Sequence, residues 1–98
     1  MFNSFTPYGN NYNRDFNIVI TVVNEGMDIL RKSSLDRPVS QEVVQIWQKY
    51  VFTILKSVSY NQDILIEYTQ FLLTINSLSP YDQLSRSIQK LLELARGI

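Results

Sequence analysis

Residues 41–78 read QEVVQIWQKYVFTILKSVSYNQDILIEYTQFLLTINSL. The stretch has no Gly and no Pro, and it holds much of the strongly apolar content of the chain. Alternating steps of four and three pick out Val43, Trp47, Tyr50, Ile54, Ser57, Asn61, Ile64, Tyr68, Phe71, Ile75 and Leu78. That spacing keeps side chains on one helix face, and a sustained step near 3.5 residues gives a coiled-coil-like seam. Val44, Val51, Leu55, Val58, Leu65 and Leu72 widen the stripe, which suits a globular bundle better than a bare two-stranded coil.

The seam fails at its centre. Ser57 and Asn61 occupy core positions within the polar run 57–63, and both residue types favour caps and turns over helix interiors. Ser59 stands three residues before Gln62, a capping-box spacing. Asn61 can also cap, with Asp63 in the first turn where the helix dipole favours an anion. Either the chain turns near 59–62 into a hairpin, or one helix of about 57 Å runs through. The unbroken register argues for the straight helix, ordinary helix and loop lengths for the hairpin. Ile66 and Leu73 stand seven apart on a face nearly opposite the main stripe. A helix apolar on two sides is buried on two sides. Its second cover is either the rest of one bundle or another copy.

The flanking segments read as partners for this stretch. Residues 1–13 (MFNSFTPYGNNYN) space Phe2, Phe5, Tyr8 and Tyr12 among Asn, Ser, Pro and Gly, which oppose both helix and long strand. They are expected to form a flexible arm whose aromatics can dock into a groove on a partner or neighbouring subunit. In residues 14–33, Val19, Val22, Val23, Gly26 and Leu30 share a helix face, and Arg31-Lys32 sit where the dipole wants cations. The β-branched run Asn17–Asn24 also fits a buried strand, but a lone strand has no partner here, so helix is the reading. Residues 34–40 (SLDRPVS) form a connection, with Ser40 as cap for the helix that follows. In residues 79–98, Ser79 is the N-cap, Pro80 takes N1 and Asp82 sits at N3. Leu84, Ile88, Leu91, Ala95 and Ile98, widened by Leu92, form the stripe, and Gly97 is placed at C′.

Composition narrows the function classes. A chain of 98 residues forms one domain. Hydrophobic content of 45% is ordinary and 18% charged is low, which argues for an ordered domain with a weakly charged surface suited to a complex. Nine basic and nine acidic residues leave no excess charge for phosphate neutralisation, which disfavours nucleic acid. The absence of Cys and His removes disulfides, thiolate nucleophiles and imidazole bases. Glu25 with Asp28, and Asp63 with Glu67, are one helical turn apart, yet no third ligand or orienting base accompanies either pair. Glu67, between Ile64 and Phe71, is expected to be partly buried. Three glycines form no phosphate loop. No basic n-region precedes an apolar run, and no span reaches membrane-crossing length.

The expectation is an all-α domain: a small antiparallel helical bundle of three or four helices over 14–98, behind the flexible arm 1–13. No catalytic residue, cofactor or metal site is assigned. The expected function is a cytoplasmic, non-enzymatic protein–protein interaction module (adaptor, assembly or chaperone-like) that binds a protein partner or itself as a homodimer. Ile66, Leu73, Tyr60, Tyr81 and the arm's Phe2, Phe5, Tyr8 and Tyr12 are its candidate contacts. The alternatives are amphipathic binding of a lipid or other apolar surface, for which Lys and Arg are scarce, and a small nucleic-acid-binding regulator.

Overall fold

The computed structural model describes residues 7–58 and 62–96, with residues 7–13 described by their backbone alone. They form four helices: α1 (Pro7–Lys32), α2 (Gln41–Val58), α3 (Gln62–Ile75) and α4 (Pro80–Ala95). Two serines open helices as expected. Ser40 Oγ accepts the Val43 amide at 3.1 Å, so α2 begins at Gln41. Ser79 Oγ accepts the Asp82 amide at 3.2 Å, with Pro80 at the first position of α4. Such caps contribute about 1 kcal/mol each. Gly97, Ile98, Ser59 and Asn61 lie outside the described residues.

The central stretch is a hairpin. Phe52 and Tyr68 meet edge to face with ring centroids 5.5 Å apart, whereas 16 residues of unbroken helix would separate them by about 24 Å. The turn also releases the register. Val44, Trp47, Val51, Leu55 and Val58 are the buried stripe of α2; Val43 and Tyr50, expected on the seam, are exposed. Ser57 is exposed too and donates its hydroxyl to the Ile54 carbonyl at 2.8 Å. A helix free of a 38-residue supercoil presents its 3.6-residue face to its neighbours, and that face is one position over. On α3 the expected Ile64, Tyr68 and Ile75 are buried.

The run Asn17–Asn24 is helical. Val19, Val22 and Val23 are almost wholly buried on one face, and burial worth about 1.5–3 kcal/mol per side chain outweighs a β-branched penalty below about 1 kcal/mol. The helix begins at Pro7, inside the segment expected as an arm, because proline is suited to a first helical turn. On α4 the widening residue is Leu94, while Leu92 is exposed.

The contacts fix the topology. Tyr81 faces Met27 and Leu30, and Ile88 approaches Gly26, so α4 runs antiparallel to α1. Lys90 reaches Glu67 while Gln83 reaches Asn76, so α3 and α4 are antiparallel. Gln41 pairs with Gln83 and Gln48 with Ser87, so α2 and α4 run parallel across the diagonal. Among the described residues, α1 and α3 lie across the other diagonal, with no Cα atoms within 8 Å of each other. The result is an up-down-up-down four-helix bundle in which α4 packs against all three others.

Two buried polar side chains on α4 are satisfied in place. Gln83 Nε2 donates to the carbonyls of Leu78 (2.8 Å) and Asn76 (3.2 Å), and its Oε1 accepts from Gln41 Nε2 at 3.0 Å. Ser87 Oγ accepts from Gln48 Nε2 at 3.1 Å. At the α1–α2 contact, Trp47 donates its indole N–H to the Val22 carbonyl at 3.0 Å, across 25 residues of chain. Its ring lies under Gly26. A Cβ there would stand 2.8 Å from Trp47 Cζ2 and 2.9 Å from Ile88 Cδ1.

Gly26→Ala gains about 1 kcal/mol of helix propensity but must displace an indole held by its hydrogen bond, an overpacking cost of about 1–3 kcal/mol. The expected outcome is a net loss of stability in urea unfolding. A variant as stable as the parent would show that the indole is not fixed.

Candidate interaction surfaces

Helix α2 carries two apolar stripes. The first makes the core. The second, Val43, Ile46 and Tyr50, follows i, i+3, i+7 spacing one position away, and Ile46 is 62% exposed. With Ile29 of α1 and the covered ring of Trp47 as floor, these residues line an open groove of about 260 Å³. That is smaller than the roughly 300–1,000 Å³ of small-molecule pockets and suits one or two inserted side chains. Glu25, on the rim, is the groove's one charged lining residue and has no ion pair among the described residues.

A second apolar area surrounds Tyr81, which is half exposed. Tyr81 divides two depressions that share Leu30 as a wall. One, of about 470 Å³, reaches Leu35, Pro38, Val39 and Pro80; the other, of about 280 Å³, reaches Met27 and Arg31. Leu35 stands fully exposed at the tip of a closed turn. The Ser34 amide donates to the Arg37 carbonyl at 3.0 Å, and the Arg37 amide donates to the carbonyl and the Oγ of Ser34, each at 3.1 Å.

The third surface is the outer face of α3. Ile66 is 51% and Leu73 67% exposed, opposite the buried Ile64, Tyr68 and Ile75. Both residues are thus more than half exposed among the described residues. Tyr8 and Tyr12 fall in the first turns of α1, whose side chains are not described, and Phe2, Phe5 and Tyr60 lie outside the described residues. Sequence reasoning missed Ile46, Leu35 and Met27. The doubled stripe on α2 and a leucine within a short polar connection were the available signals.

Asp28, Glu67 and Glu93 are each held by a cation at short range. Lys32, then Arg31, hold the Asp28 carboxyl below the usual carboxylate range, with contacts of 3.0 and 2.7 Å. Glu67 is exposed, contrary to the expected partial burial, because its stem stands off the core while the well-covered Lys90 reaches up to it at 2.6 Å. Lys90 also binds Glu93 at 3.1 Å and stacks 5.6 Å from the Phe71 ring centroid. Glu67, then Glu93, raise the Lys90 amine above its ordinary value. No group of three or more acidic side chains placed to hold a metal ion occurs among the described residues. No described helix is long and apolar enough to cross a membrane.

The Tyr68 hydroxyl is the one buried side-chain polar atom without a hydrogen-bond partner among the described residues. Burial pushes its phenol far above the ordinary value, with the nearby Ser87 hydroxyl acting weakly the other way. The ring is a core element, edge-on to Phe52.

No family model matches the chain, and no curated protein or solved structure matches it either.

An orphaned hydroxyl contributes desolvation cost without a compensating bond, so Tyr68→Phe is expected to leave stability at pH 7 unchanged or raise it by up to about 2 kcal/mol. Its folded-state phenol is raised above the unfolded one. The stabilisation of the protonated form is therefore complete below about pH 10 and lost as pH climbs beyond it. Unfolding in urea at pH 7 and at about pH 11 should show a smaller alkaline loss in the variant. A loss of more than about 1 kcal/mol at pH 7 would mean the hydroxyl has a partner.

Proposed function

We propose that the protein is a non-enzymatic helical interaction module. It presents an apolar groove to an amphipathic segment of a protein partner or of another copy of itself. The observation that carries this reading is the stripe Val43, Ile46 and Tyr50, left out of the core and lined up beside Ile29 over Trp47. Exposed apolar residues scattered singly need no explanation, whereas a contiguous set with a floor and one polar rim residue matches helix-in-groove recognition. Adaptor, assembly and chaperone-like roles all use such a surface.

Glu25 favours a partner with a Lys or Arg beside its apolar anchor. It also weighs against a lipid surface, which calls for cations next to the apolar stripe, and a zero net charge weighs against nucleic acid.

Selection from a displayed library of helical peptides tests the reading. Enriched peptides should share an aromatic or aliphatic anchor with a nearby cation. Ile46→Asp, at an exposed position, should weaken them at least tenfold, about 1.4 kcal/mol, without altering unfolding. Selection that yields no consensus, or peptides indifferent to Ile46→Asp, would remove the groove from consideration.

A further inference from the structure

The α1/α2 groove has two unlike ends. Gly26 meets the Trp47 ring, and the two helices run antiparallel. Ile29 therefore stands with Val43 at one end and Glu25 with Tyr50 at the other, with Ile46 between them. We propose that this groove reads an arginine on a helical segment of a different protein. The segment seats an apolar side chain at the Ile29–Val43 end. One helical turn away, it lays a guanidinium between the Glu25 carboxylate and the Tyr50 ring. That occupant rests on the interaction-module reading of the same groove, and goes past it by naming the recognised residue and setting aside a second copy.

Three observations select it. The first is charge. Glu25 is exposed and makes no ion pair among the described residues. Its neighbours one turn away on α1 are Thr21, Val22, Asp28 and Ile29, none of them a cation. The cations that follow, Arg31 and Lys32, both close on Asp28 instead, at 2.7 and 3.0 Å. A ligand covering Glu25 with apolar groups alone strips water from an uncompensated carboxylate, whereas a cation at that point replaces the lost water. The second is the ring beside it. Tyr50 is 44% exposed and lines the same groove. A guanidinium can stack on that ring and donate two N–H bonds to one carboxylate at once. An ammonium is a compact, strongly hydrated point charge without the planar fork. The third is spacing. Glu25 and Ile29 are four residues apart, about 6 Å along the axis, which matches the i, i+4 rise of an incoming helix. Two copies of the chain meeting groove to groove would bring two Glu25 carboxylates and no lining cation into the contact, so the occupant is a different protein.

Parallel selections from the displayed helical library, against the parent and against Glu25→Lys, test the charge directly. The parent should enrich Arg, in preference to Lys, three or four residues from the apolar anchor. Glu25→Lys should keep the anchor and enrich Asp or Glu at that same position. In the best parent binder, replacing the arginine by citrulline keeps the shape and removes the charge. This exchange should weaken binding to the parent about tenfold and binding to Glu25→Gln less than about twofold. Tyr50→Leu should erase the preference for Arg over Lys. Circular dichroism and urea unfolding of each variant confirm that the fold is kept. An apolar consensus that is lost on Ile46→Asp, but carries no cation or a cation indifferent to residue 25, overturns the inference and leaves the groove reading standing. Equal enrichment of Lys and Arg overturns the choice of arginine. Absence of any consensus removes both readings. A parent that dimerises in sedimentation, with Glu25→Lys abolishing the dimer, puts a second copy in the groove and overturns the proposed occupant.

Discussion

The packing of Trp47 against α1 is the constraint on which the bundle rests. Its N–H takes the Val22 carbonyl as acceptor and its ring occupies the space a side chain on residue 26 would need. In a regular helix that carbonyl already accepts the Gly26 amide, so the indole uses its second lone pair and the ladder need not break. Position and orientation of α2 on α1 are thereby set at one point, with Ile88 of α4 closing the same site. A bundle of aliphatic residues alone can slide by a turn at modest cost; a directional hydrogen bond beneath a glycine notch removes that freedom.

Helix α4 supplies the rest of the specification. Its apolar face completes the core with Leu84, Ile88, Leu91, Leu94 and Ala95. Its two buried polar residues tie down neighbours: Gln83 holds the turn after α3 and the first residue of α2, and Ser87 holds Gln48. Buried amides that meet all their partners discriminate between alternative packings, because any slip leaves them unmet. Among the described residues, the outer face of α3 and the α1/α2 groove stay exposed. The same arrangement that defines the core produces the exposed surfaces.

Much of the fold was legible from residue order. Ser40 and Ser79 mark their helices by side-chain chemistry that acts within four residues, and such local signals survive any tertiary arrangement. The stripe Val19, Val22, Val23 outweighed its own β-propensity because periodicity reports burial, and burial is the stronger of the two effects. What was not legible depends on partners distant in sequence. Whether Val43 or Val44 faces inward turns on where α1 and α4 sit, and a stripe widened on both sides fits either. The unexpected exposure of Ile46 is the other half of that one-residue rotation. Gln83 and Ser87 gave no signal, since a polar residue beside an apolar stripe looks like the edge of a solvated face until its acceptors are located. That Ile66 and Leu73 lie opposite the main stripe could be read, because opposite faces of one helix stay opposite in any packing, but whether the bundle's own helices cover them could not.

The adjacency of α1 and α4 bears on how the chain acquires its shape during synthesis. The first helix finds its most extensive neighbour in the last, so an emerging polypeptide holds Val19, Val22 and Val23 without full cover until some sixty further residues have been translated (Gly26 to Ile88 spans this gap). A hairpin of α2 and α3 can form early, but it closes nothing by itself. The nascent chain thus carries this apolar face only partly covered while those residues are made, at about 5–20 residues per second a matter of several seconds. Helper proteins that shield apolar helices on the ribosome have their natural target in this interval.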